Sequence, residues 1–392
     1  MRKNNYLILL VILLIGTLTQ ISTDVYTPSL PAIAGNLNTS LGQAQLTMTW
    51  LMIGIGITTF IYGPLSEVIG RRWTILIGNV IALVGVLFCV TAHSIEQLQM
   101  GRLIQGMGLG AAATLWRSVF RDTYSGPDMA KVGSYLTNIV IISVIVAPFL
   151  GGYLEQYFGW RSTFIFLCLW TALITAVILF LFTETNQHHG RHRLKLKFIF
   201  GAYKELLSSR VFMSFSVYTF LIYGGLFTWM TSGPAVLIHG AGITPVMFGY
   251  LMILIGTAKG LGGFANGKLV YVFGIEKLMI LGWALMILSG FLMLIGHYFF
   301  GLTIYDVLVP AMIFIFGTSF IFANATAGAF THFGHIAGYA GSLYSSIQLL
   351  GGAVFSAYIS HLNTSSQVPM AWLFIASGAL AWLAFLCIRE RT

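Results

Sequence analysis

Apolar stretches of about 20 residues alternate with short polar segments along almost the whole chain. A helix of roughly 20 apolar residues spans the ~30 Å hydrocarbon core of a bilayer. The pattern therefore predicts twelve membrane-spanning helices, an even number that places both termini on the same side. The predicted spans are 6–27, 44–64, 73–93, 97–119, 132–154, 163–183, 211–237, 247–267, 277–298, 305–326, 339–360 and 370–388.

A short, glycine-bracketed turn occurs twice. Gly63 and Gly70 enclose a charged turn between the second and third spans, and Gly267 and Gly274 repeat the same spacing between the eighth and ninth. A repeat at about half the chain length is typical of transporters built from two related halves. We expect an all-α membrane protein whose twelve transmembrane helices form two related six-helix bundles.

One long polar stretch separates the two halves. It is rich in lysine, arginine and histidine, and residues 198–207 within it are patterned as an amphipathic helix. The predicted division is an N-terminal six-helix half at 1–183, a cytoplasmic linker at 184–210 and a C-terminal six-helix half at 211–392.

Charge is scarce and unevenly placed. Only 8% of the 392 residues are charged, and most of the 20 lysines and arginines fall in segments on one side of the predicted bundle. The positive-inside rule puts that side, with both termini, in the cytoplasm. The net charge of +9 therefore reflects the orientation of the protein in the membrane. Dispersed basic residues do not form the patch that nucleic acid needs, so we expect no nucleic-acid partner.

Three charged residues fall inside spans of the first half, and two of them, Asp24 and Arg102, lie toward the outer side; the third, Arg117, lies at the inner end of the fourth span. A charge within a span is costly and is usually retained because it pairs, takes up a proton or coordinates a ligand. A pair between Asp24 and Arg102, direct or through water, is geometrically feasible, and we assign both to proton coupling. The alternatives are an interfacial aspartate at the outer helix end and an arginine that extends to the outer surface.

A second set of residues is predicted to act as a conformational gate. Charged side chains at the cytoplasmic turn would form a cluster that breaks in another state, with positive-inside anchoring as the alternative. In the fifth span a proline and adjacent glycines would allow bending and close packing. The predicted gate residues are Gly63, Glu67, Gly70, Arg71, Arg72, Arg121, Asp122, Pro148, Gly151 and Gly152.

Polar-tipped residues within spans are candidates for lining a substrate cavity, although packing is an equally ordinary role for aromatic residues in a bundle. These candidates are Tyr26, Trp50, Asn138, Tyr223, Trp229, Asn324 and Gln348. The three cysteines lack metal-ligand spacing, and the linker histidines His188, His189 and His192, which could bind a metal, are expected to be solvated, so neither a metal nor a cofactor is predicted. No span places a histidine near a carboxylate, and there is no Walker-type glycine loop, which argues against an enzyme and against ATP-driven transport.

The turn at 63–72 resembles the signature between helices 2 and 3 of the major facilitator superfamily, with Gly63, Gly70, Arg71 and Arg72 in place. The family usually has aspartate where Glu67 stands and a basic residue where Val68 stands. The stretches Arg102-x-x-Gln105-Gly106-x-Gly108 and Ala147-Pro148-x-x-Gly151-Gly152 look like the helix 4 and helix 5 motifs of its drug–proton antiporters.

The chain resembles the Bcr/CflA subfamily more closely. The similarity rests on Asp24-x-Tyr-x-Pro-x-Leu-Pro31, Gly63-Pro-Leu-Ser66, Arg121-Asp122, Gly159-Trp160-Arg161, Asn324 and Ala340-Gly-Ser342. This resemblance implies a monomer in the bacterial inner membrane that exports amphipathic small molecules, such as drugs, in exchange for protons by alternating access. A siderophore or metabolite transporter of the same fold, working in export or uptake, is the alternative.

Overall fold

The computed structural model describes residues 3–124, 126–186, 196–362 and 366–389, which fold into thirteen α-helices. In this part of the chain there is no β-strand. The helices are α1 (Lys3–Asp24), α2 (Leu30–Asn36), α3 (Leu41–Ile69), α4 (Arg71–Val90), α5 (Ile95–Thr123), α6 (Gly126–Phe158), α7 (Trp160–Leu181), α8 (Leu196–Ser208), α9 (Arg210–Pro234), α10 (Pro245–Phe300), α11 (Ile304–Phe330), α12 (Ala337–Ser360) and α13 (Val368–Arg389).

The lengths of these helices account for the twelve predicted passes. Eight helical segments of the described residues are long and apolar enough to cross a membrane, and one of them, α10, has the 56 residues that two passes require. The glycine-rich helices α5, α6 and α12 have 29, 33 and 24 residues, which is also enough for one pass each. The all-α, multi-pass prediction is therefore confirmed.

We call α1–α7 the N-terminal half and α9–α13 the C-terminal half. The terminal face is the end of the bundle where α1 begins and α3 meets α4. The opposite face is the end where α2 ends and α5 begins. Because the chain crosses the bundle an even number of times, α13 ends on the terminal face as well.

The first span is longer than predicted and is interrupted. Helix α1 ends at Asp24, a 3₁₀ turn follows at Thr27–Ser29, and α2 carries the apolar segment on to Asn36. Pro28 and Pro31 lack a backbone N–H, so an unbroken ladder of helical hydrogen bonds cannot pass through them. The apolar segment as a whole covers Leu7–Asn36. Asp24 consequently lies in the interior of this span, which does not fit the alternative of an interfacial aspartate at the outer helix end.

The charged turn is also tighter than predicted. Helix α3 continues through Gly63 and Pro64, and only Gly70, with φ of 92°, leaves the helical conformation before α4 starts. Gly274 adopts the same left-handed region inside α10, with φ of 76°. This region suits glycine because it has no Cβ. The second glycine of each repeat therefore makes the reversal, whereas Gly63 is a packing position: a Cβ there would lie 2.5 Å from Ser342 Oγ.

Glycines bring the helices of the N-terminal half into backbone contact. A Cβ on Gly106 of α5 would lie 2.2 Å from the carbonyl oxygen of Leu51 in α3, and one on Gly54 would lie 2.5 Å from the carbonyl oxygen of Leu103. Helices in lipid gain stability mainly from close van der Waals packing, which small residues permit. These paired glycines fix the distance between α3 and α5.

The two halves meet along α3 with α12 and along α6 with α10. Near the opposite face, Gln45 Nε2 donates to the carbonyl oxygen of Thr231 at 3.2 Å. Thr49 and Thr231 both hydrogen-bond to Ser356 Oγ, at 3.0 Å and 2.9 Å. Near the terminal face, Thr59 and Ser346 share a hydrogen bond. Hydroxyl and amide groups thus join the halves at several depths.

Helix α8 covers the predicted amphipathic stretch at 198–207. Its buried side chains Ala202 and Leu206 pack with Phe212 of α9 and Tyr344 of α12. On the N-terminal half, Tyr203 donates to the carbonyl oxygen of Phe60 at 3.2 Å. The helix therefore contacts both halves at the terminal face.

The glycine contact between α3 and α5 generates a prediction about stability. We expect Gly106→Ala to lower the melting temperature of the purified protein in detergent, because its methyl group would overlap backbone atoms and overpacking costs about 1–3 kcal/mol. Gly263→Ala is the matched control, since Gly263 is an exposed helical glycine with no neighbouring atom within 4 Å of its Cβ position. Equal melting temperatures for the two variants would contradict the packing argument.

Candidate functional site

Asp24 is completely buried at the point where α1 stops. Gln20, one turn earlier, donates from Nε2 to Asp24 Oδ2. The other carboxylate oxygen, Oδ1, has no hydrogen-bond partner. A buried carboxylate is normally paired or fully hydrogen-bonded. Asp24 is therefore an under-satisfied group at an interruption of the first span.

Arg102 of α5 is also completely buried, next to the same interruption. Its Nη1 donates to the carbonyl oxygen of Ser22 at 3.3 Å and to Gln105 Oε1 at 2.6 Å. Its Cζ lies 3.9 Å from the centroid of the Tyr26 ring and 5.7 Å from that of Phe164. Cation–π contacts of this kind stabilise a desolvated guanidinium.

Asp24 and Arg102 thus lie beside the same break, yet they form no direct ion pair. Arg102 contacts the backbone carbonyl of Ser22, two residues before Asp24, and the aromatic face of Tyr26, two residues after it. A direct Asp24–Arg102 pair was one of the predicted arrangements, and it is absent. Arg102 Nη1 instead donates to the Ser22 carbonyl and to Gln105, whereas Nε and Nη2 have no hydrogen-bond partner.

A charge of the C-terminal half acts on Asp24 from a distance. Lys259 of α10 and Asp24 interact electrostatically without the close contact of an ion pair. Lys259 has only intermediate exposure, and its helix is also held to α11, where Ser319 Oγ donates to the Lys259 carbonyl at 3.1 Å. Sequence reasoning missed this interaction because the two residues belong to different halves.

A cluster of charges organises the terminal face of the N-terminal half. Arg71 is almost fully buried, and it pairs with Glu67 at 2.7 Å and with Asp122 at 3.0 Å. Its Nη1 also donates to Ser66 Oγ. The cluster joins the ends of α3, α4 and α5. Three of the predicted gate residues, Glu67, Arg71 and Asp122, are therefore brought together.

The same cluster contains two residues that sequence reasoning missed. The carboxylate of Glu184 accepts hydrogen bonds from the backbone N–H groups of Arg71, at 2.9 Å, and Arg72, at 3.1 Å. Asn186 Nδ2 donates to Glu67 Oε2 at 3.3 Å. Glu184 occupies the N-terminus of α4, where a negative charge is favoured. A Cβ on Gly70 would lie 2.3 Å from Glu184 Oε2, so the carboxylate needs glycine there.

The side chains of the other predicted gate arginines make their contacts outside this cluster. Arg72 donates from Nη2 to the carbonyl oxygen of Leu179 at 2.5 Å, and its Cζ lies 5.8 Å from the ring centroid of Trp73. Arg121 is exposed, and the salt bridges among the described residues do not include it.

The predicted flexible segment of α6 is a contact surface. A Cβ on Gly151 would lie 1.7 Å from the carbonyl oxygen of Val25, directly after Asp24. One on Gly152 would lie 2.2 Å from the carbonyl oxygen of Pro245 in α10. Pro148, one turn earlier, is buried. These glycines let α6 touch the interrupted span on one side and the C-terminal half on the other.

The predicted cavity residues have several different environments. Tyr26 and Trp229 are completely or almost completely buried, and Trp229 packs in the core of the C-terminal half. Asn324 is buried and donates to Asn266 Oδ1 of α10 at 2.9 Å. These three residues are buried in this conformation, and their role in lining a cavity stays a prediction.

The remaining cavity candidates differ in exposure. Trp50 is exposed on α3, Gln348 is buried with an unpartnered Nε2, and Tyr223 is half-buried opposite Arg117 of α5. The side chain of Asn138 lies outside the described residues.

Among the residues that are described, no three histidine, cysteine or acidic side chains come together as they would at a metal site.

Comparison with known proteins identifies the family of this chain. Residues 12–356 match the model of the Major Facilitator Superfamily. The chain is 29% identical to multidrug resistance protein D of Escherichia coli, with 100% of this chain and 98% of that protein covered. It is 26% identical to a bicyclomycin resistance protein homolog of Haemophilus influenzae, with the same coverages.

Two further similarities agree with these. A chloramphenicol resistance protein of Pseudomonas aeruginosa is 24% identical, over 93% of this chain and 86% of that protein. The crystal structure of a D-xylose–proton symporter superposes with a TM-score of 0.74 at 17% identity, covering 97% of each chain, and so shares the fold. The drug-resistance relatives agree with the resemblance to the Bcr/CflA group. This multi-pass membrane protein belongs to the Major Facilitator Superfamily.

Proposed function

We propose that this protein exports drugs or other amphipathic small molecules in exchange for protons. The observation that carries the proposal is the placement of Asp24: a buried carboxylate with one free oxygen, at a break in the first span, facing the charge of Lys259 in the other half. The names of the bicyclomycin, multidrug and chloramphenicol resistance relatives support drugs as the substrate class.

The proposed coupling follows from electrostatics. When Asp24 is ionised, it attracts Lys259 across the boundary between the halves, and in a low-dielectric interior such an attraction is stronger than in water. A proton on Asp24 removes the attraction and lets the halves, 1–183 and 211–392, rock relative to each other. Arg102 acts as a positioning residue, because it holds Ser22 and Tyr26 on either side of Asp24.

The terminal face serves as the gate in this proposal, and it faces the cytoplasm of a bacterium, with the protein in the inner membrane. The cluster around Arg71 holds the ends of α3, α4 and α5 together at this face. From this cluster, Glu67 interacts electrostatically with Tyr339 of α12 in the other half. The nearby close approach of Gly63 to Ser342 adds a steric contact between the same helices. Together these contacts stabilise the state in which α3 and α12 are closed at this face.

The first test uses inverted membrane vesicles that contain the protein, an inside-acid proton gradient and a pH-sensitive dye. Chloramphenicol, bicyclomycin and a siderophore are added in turn, which separates the drug proposal from the siderophore or metabolite alternative. We expect a drug to dissipate the gradient through the wild-type protein, because each exported molecule is exchanged for a proton. If none of the compounds releases protons, the antiport proposal is wrong.

Asp24→Asn is expected to abolish this drug-induced proton release while the protein still inserts and purifies, because an amide cannot carry the exchanged proton. The matched control is Asp306→Asn. Asp306 lies at the start of α11, where Thr303 caps the helix and hydrogen-bonds to its carboxylate, so the same substitution there should leave coupling intact. Drug-induced proton release by Asp24→Asn at the wild-type rate would remove Asp24 from the coupling mechanism.

The gate generates a separate prediction. Glu184→Ala leaves two backbone N–H groups at the start of α4 without their acceptor, so we expect a loss of about 1 kcal/mol of stability, seen as a lower melting temperature, together with slower transport. Glu205→Ala is the control: Glu205 pairs with His335 on the surface, with both side chains about half exposed, and exposed pairs contribute little. Equal transport rates for the two variants would exclude Glu184 from the gate.

A further inference from the structure

Arg117 is the intramembrane arginine that the coupling mechanism leaves unused. It lies on α5, six residues before the helix ends at Thr123, or about 9 Å from that end along the axis. Its Cζ stacks 4.4 Å from the centroid of the adjacent Trp116 ring. The side chain is exposed, in contrast to the completely buried Arg102 on the same helix.

The exposed guanidinium faces the other half of the protein. It interacts electrostatically with Tyr223 of α9 and Tyr344 of α12. These two helices belong to the C-terminal half, whereas α5 belongs to the N-terminal half. An arginine that is accessible and also interacts with the opposite half is placed to meet a molecule that passes between the halves.

The groups around Arg117 are suited to bind a negative charge. Tyr344 exchanges a hydrogen bond with Thr326 at 3.2 Å, and one turn along α12 the buried Gln348 has an amide nitrogen without a hydrogen-bond partner. The Tyr223 hydroxyl interacts electrostatically with Arg117. A guanidinium, hydroxyls and an amide nitrogen are all hydrogen-bond donors.

Among the described residues no acidic side chain is within ion-pair distance of Arg117. The salt bridges of this part of the chain join Arg71 to Glu67 and Asp122, and His335 to Glu205. An accessible cation without a counter-ion attracts an anion from outside. The described surroundings of Arg117 therefore favour an anionic ligand over a cationic one.

Aromatic rings complete the site. Tyr223 lies 6.1 Å, centroid to centroid, from both Phe227 of α9 and Phe322 of α11, and Trp116 lies beneath the guanidinium. Such rings contact flat apolar groups and supply most of the buried area in small-molecule sites.

We propose that Arg117, Tyr223, Tyr344 and Gln348 form a subsite that binds the single anionic group of an amphipathic aromatic compound. Arg117 pairs with a carboxylate through bidentate, charge-assisted hydrogen bonds, and the aromatic rings contact the attached ring system. The subsite deepens the proposed export function by naming a substrate class, and it rests on that function for its role in transport. Binding itself does not depend on proton coupling.

The test compares two ligands of the same shape, 2-naphthoate and 2-naphthamide, by calorimetric titration of the purified full-length protein near neutral pH. The carboxylate is charged and the amide is neutral. We expect the wild-type protein to bind the carboxylate about tenfold more tightly, since a hydrogen bond to a charged group is worth more than a neutral one. If the wild-type protein shows no preference for the carboxylate, the proposal is wrong.

Three variants test whether Arg117 causes the preference for the carboxylate. Arg117→Gln should reduce carboxylate affinity about tenfold and leave amide affinity within about twofold, whereas Arg117→Lys keeps the charge and should retain most of the preference. Arg210→Gln, a substitution of an exposed arginine at the start of α9, is the control for a general loss of positive charge. If Arg117→Gln still prefers the carboxylate, the assignment is overturned. If Arg117→Lys keeps the preference, the loss in Arg117→Gln comes from the missing charge and not from misfolding.

A transport measurement separates this proposal from the proposed function. Arg117→Gln should still release protons when neutral chloramphenicol is added to inverted vesicles, but not when 2-naphthoate is added. Loss of both responses in a variant that folds normally would contradict a subsite specific for anions. If the wild-type protein releases no protons with any compound, the export function fails, while the calorimetric comparison still decides the subsite.

Discussion

A charge in the interior of a membrane protein must be compensated by the protein itself, because lipid supplies neither counter-ions nor hydrogen bonds. The region around Asp24 and Arg102 meets this requirement in part, because Asp24 Oδ1 and two guanidinium nitrogens of Arg102 have no hydrogen-bond partner. Arg102 is held by a backbone carbonyl, the amide oxygen of Gln105 and the face of Tyr26. The carbonyl of Ser22 and the ring of Tyr26 are available there because the chain leaves the regular helix after Asp24.

Close helix packing also shapes the region around Asp24. The Cβ of any residue other than glycine at position 151 would overlap the carbonyl oxygen of Val25, and one at position 152 would overlap that of Pro245. Helix α6 is thus wedged between the interrupted span and α10, the helix that carries Lys259. Any relative movement of the halves must change this contact. The glycines of α6 therefore connect the environment of Asp24 mechanically to the boundary between the halves.

Three separate polar sites lie along the N-terminal half. Asp24 and Arg102 occupy the interior, the Arg71 cluster occupies the terminal face, and Arg117 lies between them on the wall that faces the C-terminal half. Arg102 and Arg117 are fifteen residues apart on α5, or about 22 Å, so they cannot share one ligand. In the proposed mechanism this separation lets proton binding and substrate binding use different side chains while both act on the same boundary.

The sequence by itself determined the number of spans, a turn within each glycine repeat, and the presence of Asp24 and Arg102 inside spans. Each of these follows from local chemistry: apolar length, the need for glycine at positive φ, and the cost of a charge inside a span. It also predicted that Arg71, Glu67 and Asp122 would meet, because all three stand at one end of neighbouring helices.

Only the tertiary structure decided which groups face each other across distant segments. It brought the charge of Lys259 into electrostatic interaction with Asp24, placed a carbonyl and aromatic rings against Arg102, added Glu184 to the terminal-face cluster, and let Arg117 interact with Tyr223 and Tyr344. Helices that are apolar on most sides carry little information about which side faces a neighbour. The rotation of each helix is instead set by glycine contacts and buried hydrogen bonds, which form only when the helices pack together.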